Sequence, residues 1–172
     1  MAELTSRERL QPSLLDRLSD DARTQLHEPR EQRVLSMRAL RKAVLRDLGW
    51  LLNSCALGCT QDLTAYPLAA RSVLNFGLPD LSGKTASSLD PQALCRLIQQ
   101  AIEQFEPRIL AGSVRVTPLV PHSSQASHNQ VAFEIHGELW GQPLPERLYL
   151  KTELDLEAGS VKLYPLDAGG VR

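Results

Sequence analysis

The sequence is poor in aromatic residues and cysteines, and it has no long hydrophobic run. Its 172 residues include three Tyr, three Phe, two Trp and three Cys. No stretch reaches the roughly 18 apolar residues of a membrane helix, so we expect no direct insertion into a membrane. The first nine residues are charged and lack the apolar core of a secretory signal. These absences predict a cytoplasmic protein with reduced thiols.

Neither sign of charge dominates the chain. The formal net charge is −1, which gives no overall field for nucleic acid, and we expect no nucleic-acid partner. The length and the 42% hydrophobic content suit one globular domain. We predict an N-terminal arm with a short helical anchor over residues 1–33, a single domain over 34–164 and a flexible tail over 165–172.

Two stretches have the three-to-four spacing of apolar residues that is typical of an amphipathic helix. The first covers residues 36–53 and begins at Ser36, whose hydroxyl can cap the helix. The second covers residues 90–105, with Asp90 as the N-cap and Pro91 at the first helical position. The predicted buried stripe of this second helix is Leu94, Leu97, Ile98, Ala101, Ile102 and Phe105.

A shorter helix is predicted between these two, over residues 69–76. Gly77 would supply its left-handed cap, and Pro79 would block any continuation. The segment that follows, residues 80–89, has the composition of a loop.

The later part of the chain changes to strict alternation of apolar and polar residues, which is the period of a half-buried strand. Pro118 indicates an edge strand or a strand end. The sequence therefore predicts an α+β fold, with helices packed on one face of a small, mainly antiparallel sheet of about four strands, after an N-terminal extension. The predicted strands are 113–120, 130–140, 147–156 and 161–163.

The residues that commonly carry chemistry do not form a metal-binding or phosphate-binding pattern. Cys55 and Cys59 are four residues apart, but no second pair of ligands follows at zinc-site spacing. Cys95 lies on the second predicted helix, where we expect an inert core residue. Ser82-Gly83-Lys84-Thr85 matches the end of a phosphate-binding loop, but the upstream glycine is missing. We predict no metal site and no cofactor.

Glu103 and Glu106 raise the alternative of a glycoside hydrolase. Such an enzyme needs two carboxyl groups on opposite walls of a cleft. Two acids on one helical turn do not build such walls, and the chain has few aromatic residues to stack against sugars. We predict no catalytic residue, and a peptidoglycan-cleaving enzyme that uses Glu106 stays open as the alternative.

Glu106-Pro107-Arg108 ends the second predicted helix and has two interpretations. In the first, the proline stops the helix and leaves an exposed ion pair worth at most about 1 kcal/mol. In the second, the proline fixes a rigid corner from which Glu106 and Arg108 project toward a protein partner. On the second interpretation, replacing either charged residue by Ala weakens partner binding and leaves the fold intact.

Leu14, Leu15, Asp16, Arg17 and Leu18 form an apolar island in polar surroundings. The leucines lie at one helical face. The island fits either a first turn docked on the domain or a short anchor for a partner.

Four segments, in order along the chain, resemble motifs of the TssE family. These are the small baseplate subunits of type VI secretion systems, related to the wedge subunit of contractile phage tails. Residues 105–109 resemble the Glu-Pro-Arg signature of the family, and Leu14 to Leu18 look like its N-terminal motif. Residues 46–53 and 72–83 look like its first-helix and central motifs. The sequence departs from the family at Cys55-Ala56, where basic residues are expected.

The resemblance implies a non-enzymatic subunit of the baseplate wedge, in the cytoplasm at the inner face of the bacterial inner membrane. It implies TssF, TssG and TssK as neighbours and a link to the TssB/TssC sheath, made by adding a strand to a sheet edge. It assigns Glu106, Pro107 and Arg108, with Leu14 to Leu18 as a second contact, to docking. Related folds serve as regulatory anti-adaptors, which is a further alternative.

Overall fold

The computed structural model of this protein describes residues 13–18, 36–81, 83, 89–119, 130–140 and 145–166, with the backbone alone for Arg17. The predictions made for residues 1–12, 19–35, 82, 84–88, 120 and 167–172 lie outside the described residues. The predicted domain boundaries are not tested by this geometry and stay predictions.

Within the described residues, the chain forms four α-helices, two short 3-10 turns and four strands. The helices are α1 (Leu14–Leu18), α2 (Met37–Leu52), α3 (Pro67–Ala70) and α4 (Pro91–Phe105). The 3-10 turns are Leu57–Cys59 and Val73–Asn75. The strands are β1 (Arg115–Leu119), β2 (Gln130–Leu139), β3 (Glu146–Asp155) and β4 (Ser160–Pro165).

The four strands form one antiparallel meander in the order β1-β2-β3-β4. Val116 pairs with Ile135 between β1 and β2, and Ile135 pairs with Leu150 between β2 and β3. Alternate residues point to one face and are buried, as the alternation predicts. The predicted α+β class and the predicted small antiparallel sheet are confirmed.

The two long helices cover the buried face of the sheet. Helix α2 packs beside β4, α4 packs beside β1, and the two helices contact each other. The shared core includes Leu48 of α2, Ile98 of α4 and Phe133 of β2. Burying a side chain of this size stabilises the fold by about 1.5–3 kcal/mol. Packing against the sheet therefore holds both helices in place.

Both predicted helix starts are confirmed by their caps. The Ser36 hydroxyl accepts a hydrogen bond from the Ala39 N–H at 3.2 Å. The Asp90 carboxylate accepts one from the Gln92 N–H at 2.9 Å, and Pro91 follows at the first helical position. Each side chain satisfies an N–H group that has no partner within the helix.

The prediction of a helix over residues 69–76 is wrong. The segment divides into α3 and the 3-10 turn Val73–Asn75. Gly77 does have a left-handed φ of +130°, but its role is not that of a helix cap. A Cβ on Gly77 would lie 2.4 Å from the Ser54 carbonyl oxygen, so the glycine permits a close backbone crossing.

Two smaller predictions need correction. Leu97 was expected in the buried stripe of α4 but is 39% exposed, because the stripe centres on Leu94, Ile98 and Ile102, while Cys95 takes a buried position instead. The last strand is longer than predicted and runs to Pro165, which was assigned to the tail. The next residue, Leu166, donates its N–H to the Tyr149 carbonyl at 2.9 Å.

Candidate docking site

The corner Glu106-Pro107-Arg108 joins the end of α4 to the end of β2. The Glu106 N–H donates to the Ile102 carbonyl at 2.9 Å and closes the last turn of α4. The Arg108 carbonyl accepts a hydrogen bond from the Trp140 N–H at 2.7 Å, just beyond β2. The corner is therefore held by backbone hydrogen bonds on both sides.

The side chains of the corner turn toward the protein. Glu106 is only 3% exposed. Its Oε1 accepts hydrogen bonds from the Arg108 Nε at 2.6 Å and from the Arg108 N–H at 3.2 Å, and its Oε2 pairs with Arg108 Nη2. The Arg108 Nη2 also reaches Asp47 Oδ2 on α2 at 2.6 Å. The interpretation of an exposed ion pair is wrong, because Glu106 is buried and both of its carboxylate oxygens bond to Arg108.

The ion pairs continue from Asp47 to the N-terminal helix. Asp47 Oδ1 accepts a hydrogen bond from Arg46 Nε at 2.8 Å. Arg46 Nη1 reaches Asp16 Oδ1 on α1 at 2.6 Å. The other oxygen of Asp16 accepts a hydrogen bond from the Ser13 hydroxyl at 2.6 Å. We call the five ionisable side chains Asp16, Arg46, Asp47, Arg108 and Glu106 the charge chain.

Alternating signs stabilise the ionised forms along the charge chain. The hydrogen bond from Arg46 lowers the pKa of Asp16 below its ordinary value. The hydrogen bond to Asp16 is also the main reason that the pKa of Arg46 is raised. Burial by itself would lower the pKa of Arg108, but the hydrogen bonds and charges of Glu106 and Asp47 outweigh burial and raise that pKa. The ion pairs therefore favour the charged forms of Asp16, Arg46 and Arg108.

Two guanidinium nitrogens in the charge chain are buried without a partner among the described residues. They are Arg46 Nη2 and Arg108 Nη1. The Arg46 guanidinium also lies over the Trp50 ring, 5.0 Å from its centroid. A buried donor without a partner is costly, so both arginines depend on the hydrogen bonds that they do make.

An apolar surface lies beside the charge chain. Leu14 is 72% exposed, Leu18 is 74% exposed, and Trp50 is 49% exposed on the neighbouring helix. Asp16 holds α1 to α2 through Arg46, so the outer leucines of α1 are presented to solvent. Exposed large apolar side chains that cluster on a fixed scaffold are typical of a surface for a protein partner.

The central motif of the sequence also reaches the corner. The Phe76 ring packs edge-on against the ring of Phe105, the last residue of α4, with centroids 5.4 Å apart. The neighbouring Gly77 lies against Ser54, two residues after the end of α2. All four segments named in the sequence analysis thus meet around one end of α4. Sequence reasoning found the segments but missed Arg46 and Asp47 as the link, since a charged pair on a helix carries no sign of its distant partners.

The geometry leaves Glu106 little scope for acid–base chemistry on a sugar. Both of its oxygens bond to Arg108, and its side chain is 4% exposed. A general acid must reach the glycosidic oxygen within hydrogen-bond distance. Within the described residues, no three His, Cys, Asp or Glu side chains form a group that could hold a metal ion.

The two outer edges of the sheet differ in their free backbone groups. Asn53 follows α2. Its side-chain amide donates from Nδ2 to the Val161 carbonyl at 3.0 Å, and its Oδ1 accepts from the Val161 N–H at 2.8 Å. It therefore occupies the outer edge of β4, and Pro165 on the same edge has no N–H to offer.

The outer edge of β1 is less occupied. Glu138 of β2 turns both backbone groups toward the β1 side, where its N–H donates to the Ser113 hydroxyl and its carbonyl accepts from the Leu110 N–H. Because these directions alternate along antiparallel strands, Arg115 faces β2 and Val116 turns its N–H and carbonyl outward. Pro118 shares the outward direction but contributes a carbonyl alone.

None of the helices in the described ranges combines the length and apolar content needed to cross a bilayer. The sequence model of a family described as baseplate wedge protein gp25 matches residues 38–144, more than half of the chain. The match includes α2, the corner and β2, while α1 precedes it and β3 and β4 follow it. No curated protein and no solved structure matches the chain.

Proposed function

Because this chain belongs to the gp25 family of baseplate wedge proteins, we propose that it is the TssE-type wedge subunit of a type VI secretion baseplate. It acts without catalysis, as a structural subunit that docks on TssF and TssG in a baseplate that also contains TssK. It works in the cytoplasm, at the inner face of the inner membrane. The observation that carries this proposal is the convergence of the four motif segments on one end of α4, where the charge chain links three of them.

In this proposal, Glu106 does not contact the partner directly. The charge chain instead holds the corner in position. Glu106 and Arg108 bond to each other and to α2, which fixes Pro107 at the outer side of the corner. The same chain of ion pairs fixes α1 through Asp16. We assign Pro107 and the exposed leucines Leu14 and Leu18 to direct contact with the partner, and the charged side chains to holding them in position.

The docking proposal is tested by co-purification from cells with an intact secretion cluster. We expect the double variant Leu14→Ser/Leu18→Ser to lose most of its TssF and TssG, because its exposed apolar contacts are removed. Pro107→Ala is expected to weaken retention a few-fold, because the corner loses its fixed φ. Both variants should melt at the temperature of the parent protein, since the altered side chains are exposed.

Matched controls are available on α4. Leu97→Ser removes an exposed leucine away from α1, and Pro91→Ala removes an exposed proline at the other end of α4. Both controls should retain TssF and TssG. Normal retention by the double variant and by Pro107→Ala would contradict the docking proposal. Turnover of peptidoglycan by the purified parent, lost in Glu106→Gln, would instead establish the hydrolase alternative.

The link to the sheath is proposed to use strand addition at β1. Val116 turns an N–H and a carbonyl outward, whereas Asn53 occupies the corresponding groups of Val161 on β4. An incoming strand needs unpaired backbone groups on the edge it joins. The occupancy of the two edges therefore favours β1 as the edge that receives a TssB/TssC strand.

A further inference from the structure

Cys55 and Cys59 are exposed and lie in the segment that follows α2, where this segment runs beside Leu78. Cys55 forms an isolated parallel bridge with Leu78. The Ala56 N–H donates to the Leu78 carbonyl at 2.9 Å, and the Cys59 thiol reaches the same carbonyl at 3.8 Å. The Cys55 thiol lies 3.7 Å from the Ala56 carbonyl. Both thiols therefore flank one backbone crossing.

A tight turn brings the two thiols together. The 3-10 turn Leu57–Cys59 begins directly after Ala56, and the Cys59 N–H donates to the Ala56 carbonyl at 3.0 Å. The Cys59 side chain is the main cause of the raised pKa of Cys55. Disulfides require Cα atoms within about 7 Å of each other, and the turn folds Cys59 back onto Ala56, the neighbour of Cys55.

The surroundings of the two sulfur atoms differ. The Asp80 N–H donates to the Cys59 sulfur at 3.3 Å. Cys55 receives no comparable donor among the described residues, and its pKa is raised by the neighbouring Cys59 side chain. Because the thiolate is the nucleophile and a raised pKa disfavours it at Cys55, we assign Cys59 as the attacking thiol and Cys55 as the resolving thiol.

We propose that Cys55 and Cys59 form an oxidisable dithiol that reacts with low-molecular-weight disulfides of the glutathione type. The Cys59 thiolate attacks the small disulfide, forms a mixed disulfide and releases one small thiolate, which takes up a proton. Cys55 then loses its proton and attacks the Cys59 sulfur, forming the Cys55–Cys59 disulfide and releasing the second small thiol. The protein loses two hydrogen atoms, and the small disulfide is reduced to two thiols.

Oxidation changes the crossing between Cys59 and Leu78. The disulfide removes the S–H donor of Cys59 from the Leu78 carbonyl and ties the turn covalently. The third cysteine, Cys95, is buried in α4 and serves as the internal control. Burial raises the pKa of Cys95, which disfavours its thiolate further.

The test uses the purified full-length protein in buffers of increasing oxidised to reduced glutathione ratio. Samples are quenched with acid, denatured, alkylated and analysed by mass spectrometry. We expect a monomer lighter by two hydrogen atoms that takes up a single alkyl group, with that group on Cys95. Peptide mapping should locate a Cys55–Cys59 disulfide, and reduction should restore all three thiols.

Single substitutions separate the two steps. In Cys55→Ser the resolving thiol is absent, so glutathione should accumulate on Cys59, whereas Cys95→Ser should behave as the parent does. The proposal is overturned if the parent keeps three free thiols in the most oxidising buffer. It is equally overturned if glutathione stays bound to the parent, or if the disulfide involves Cys95 or a second chain. These measurements use the isolated chain and do not depend on the baseplate proposal.

Discussion

At the scale of single residues, Glu106 and Arg108 depend on each other. Glu106 is buried, and Arg108 places one guanidinium nitrogen in the interior, where none of the described residues pairs with it. An arginine that loses its carboxylate partner keeps a desolvated charge, which is destabilising. Removing one member of this pair should therefore lower the free energy of unfolding.

We expect Glu106→Gln to lower the free energy of unfolding by about 2–4 kcal/mol, since it leaves Arg108 poorly compensated. Urea unfolding followed by circular dichroism measures the change. Glu103→Gln is the matched control, because Glu103 is an exposed acid on the same helix, and it should change stability by no more than about 0.5 kcal/mol. Equal stability of the two variants would contradict the structural role given to Glu106. The expected loss also revises the sequence-based expectation that a change at Glu106 leaves the fold unaffected.

At the scale of elements, a charged contact links α1 to α2. Asp16 bonds to Arg46 of α2, whereas Leu14 and Leu18 point to solvent. Five residues are too few to form a stable helix alone. The ionisation of Asp16 therefore supports the docked position of α1.

We expect the Asp16 carboxyl to titrate below its ordinary value of 3.8, since Arg46 stabilises the carboxylate. A pKa that is lower in the folded state stabilises α1 fully above the unfolded value. That stabilisation is lost as the pH falls through the lowered folded pKa. Carbon-13 NMR titration of Asp16 measures the shift, and Arg46→Gln should return the pKa toward 3.8. Arg96→Gln, which removes an exposed arginine beside Asp90, should leave it unchanged. An Asp16 pKa that is the same in the parent and in Arg46→Gln would contradict the proposed attachment.

At the scale of the whole molecule, the helices and the strands serve different partners in the proposed assembly. The corner and α1 form the surface on which we propose that the wedge neighbours dock. Among the described residues, Val116 of β1 turns backbone groups outward without a partner, while Asn53, which follows α2, bonds to the outer edge of β4. One chain can thereby contact the wedge and the sheath with separate surfaces.

Hydrogen exchange tests this division. In the free protein, we expect the Val116 amide to exchange faster than the Val161 amide. The Asn53 side chain accepts a hydrogen bond from the Val161 N–H but not from the Val116 N–H. Adding TssB/TssC sheath protein should slow exchange at Val116 and leave Val161 unchanged. Asn53→Asp serves as the control. Its carboxylate can still accept the hydrogen bond from the Val161 N–H, and only the amide donor to the Val161 carbonyl is removed. Sheath attachment without protection of Val116 would contradict strand addition at β1.

The sequence by itself determined the fold class and the main elements, because those follow from local periodicity. The stripe of α2 and the alternation in β2 and β3 have periods that only a helix or a strand can bury on one face. The caps at Ser36 and Asp90 act within a few residues, so they too were predictable. The conformation of residues 67–76 was not predictable from local sequence. It depends on the close approach of the backbone at Gly77 to Ser54, which is distant along the chain.

Only the tertiary structure decided what the charged residues do. Asp16, Asp47 and Glu106 are far apart in sequence, and no periodicity connects them. Packing α2 against α4 and the sheet brings Arg46 and Arg108 between them, and burial then makes their pairing matter. The same packing decided that Asn53 bonds to the β4 edge of the sheet and not to the β1 edge. Pairings of this kind depend on distances between elements, which a pattern along one chain does not contain.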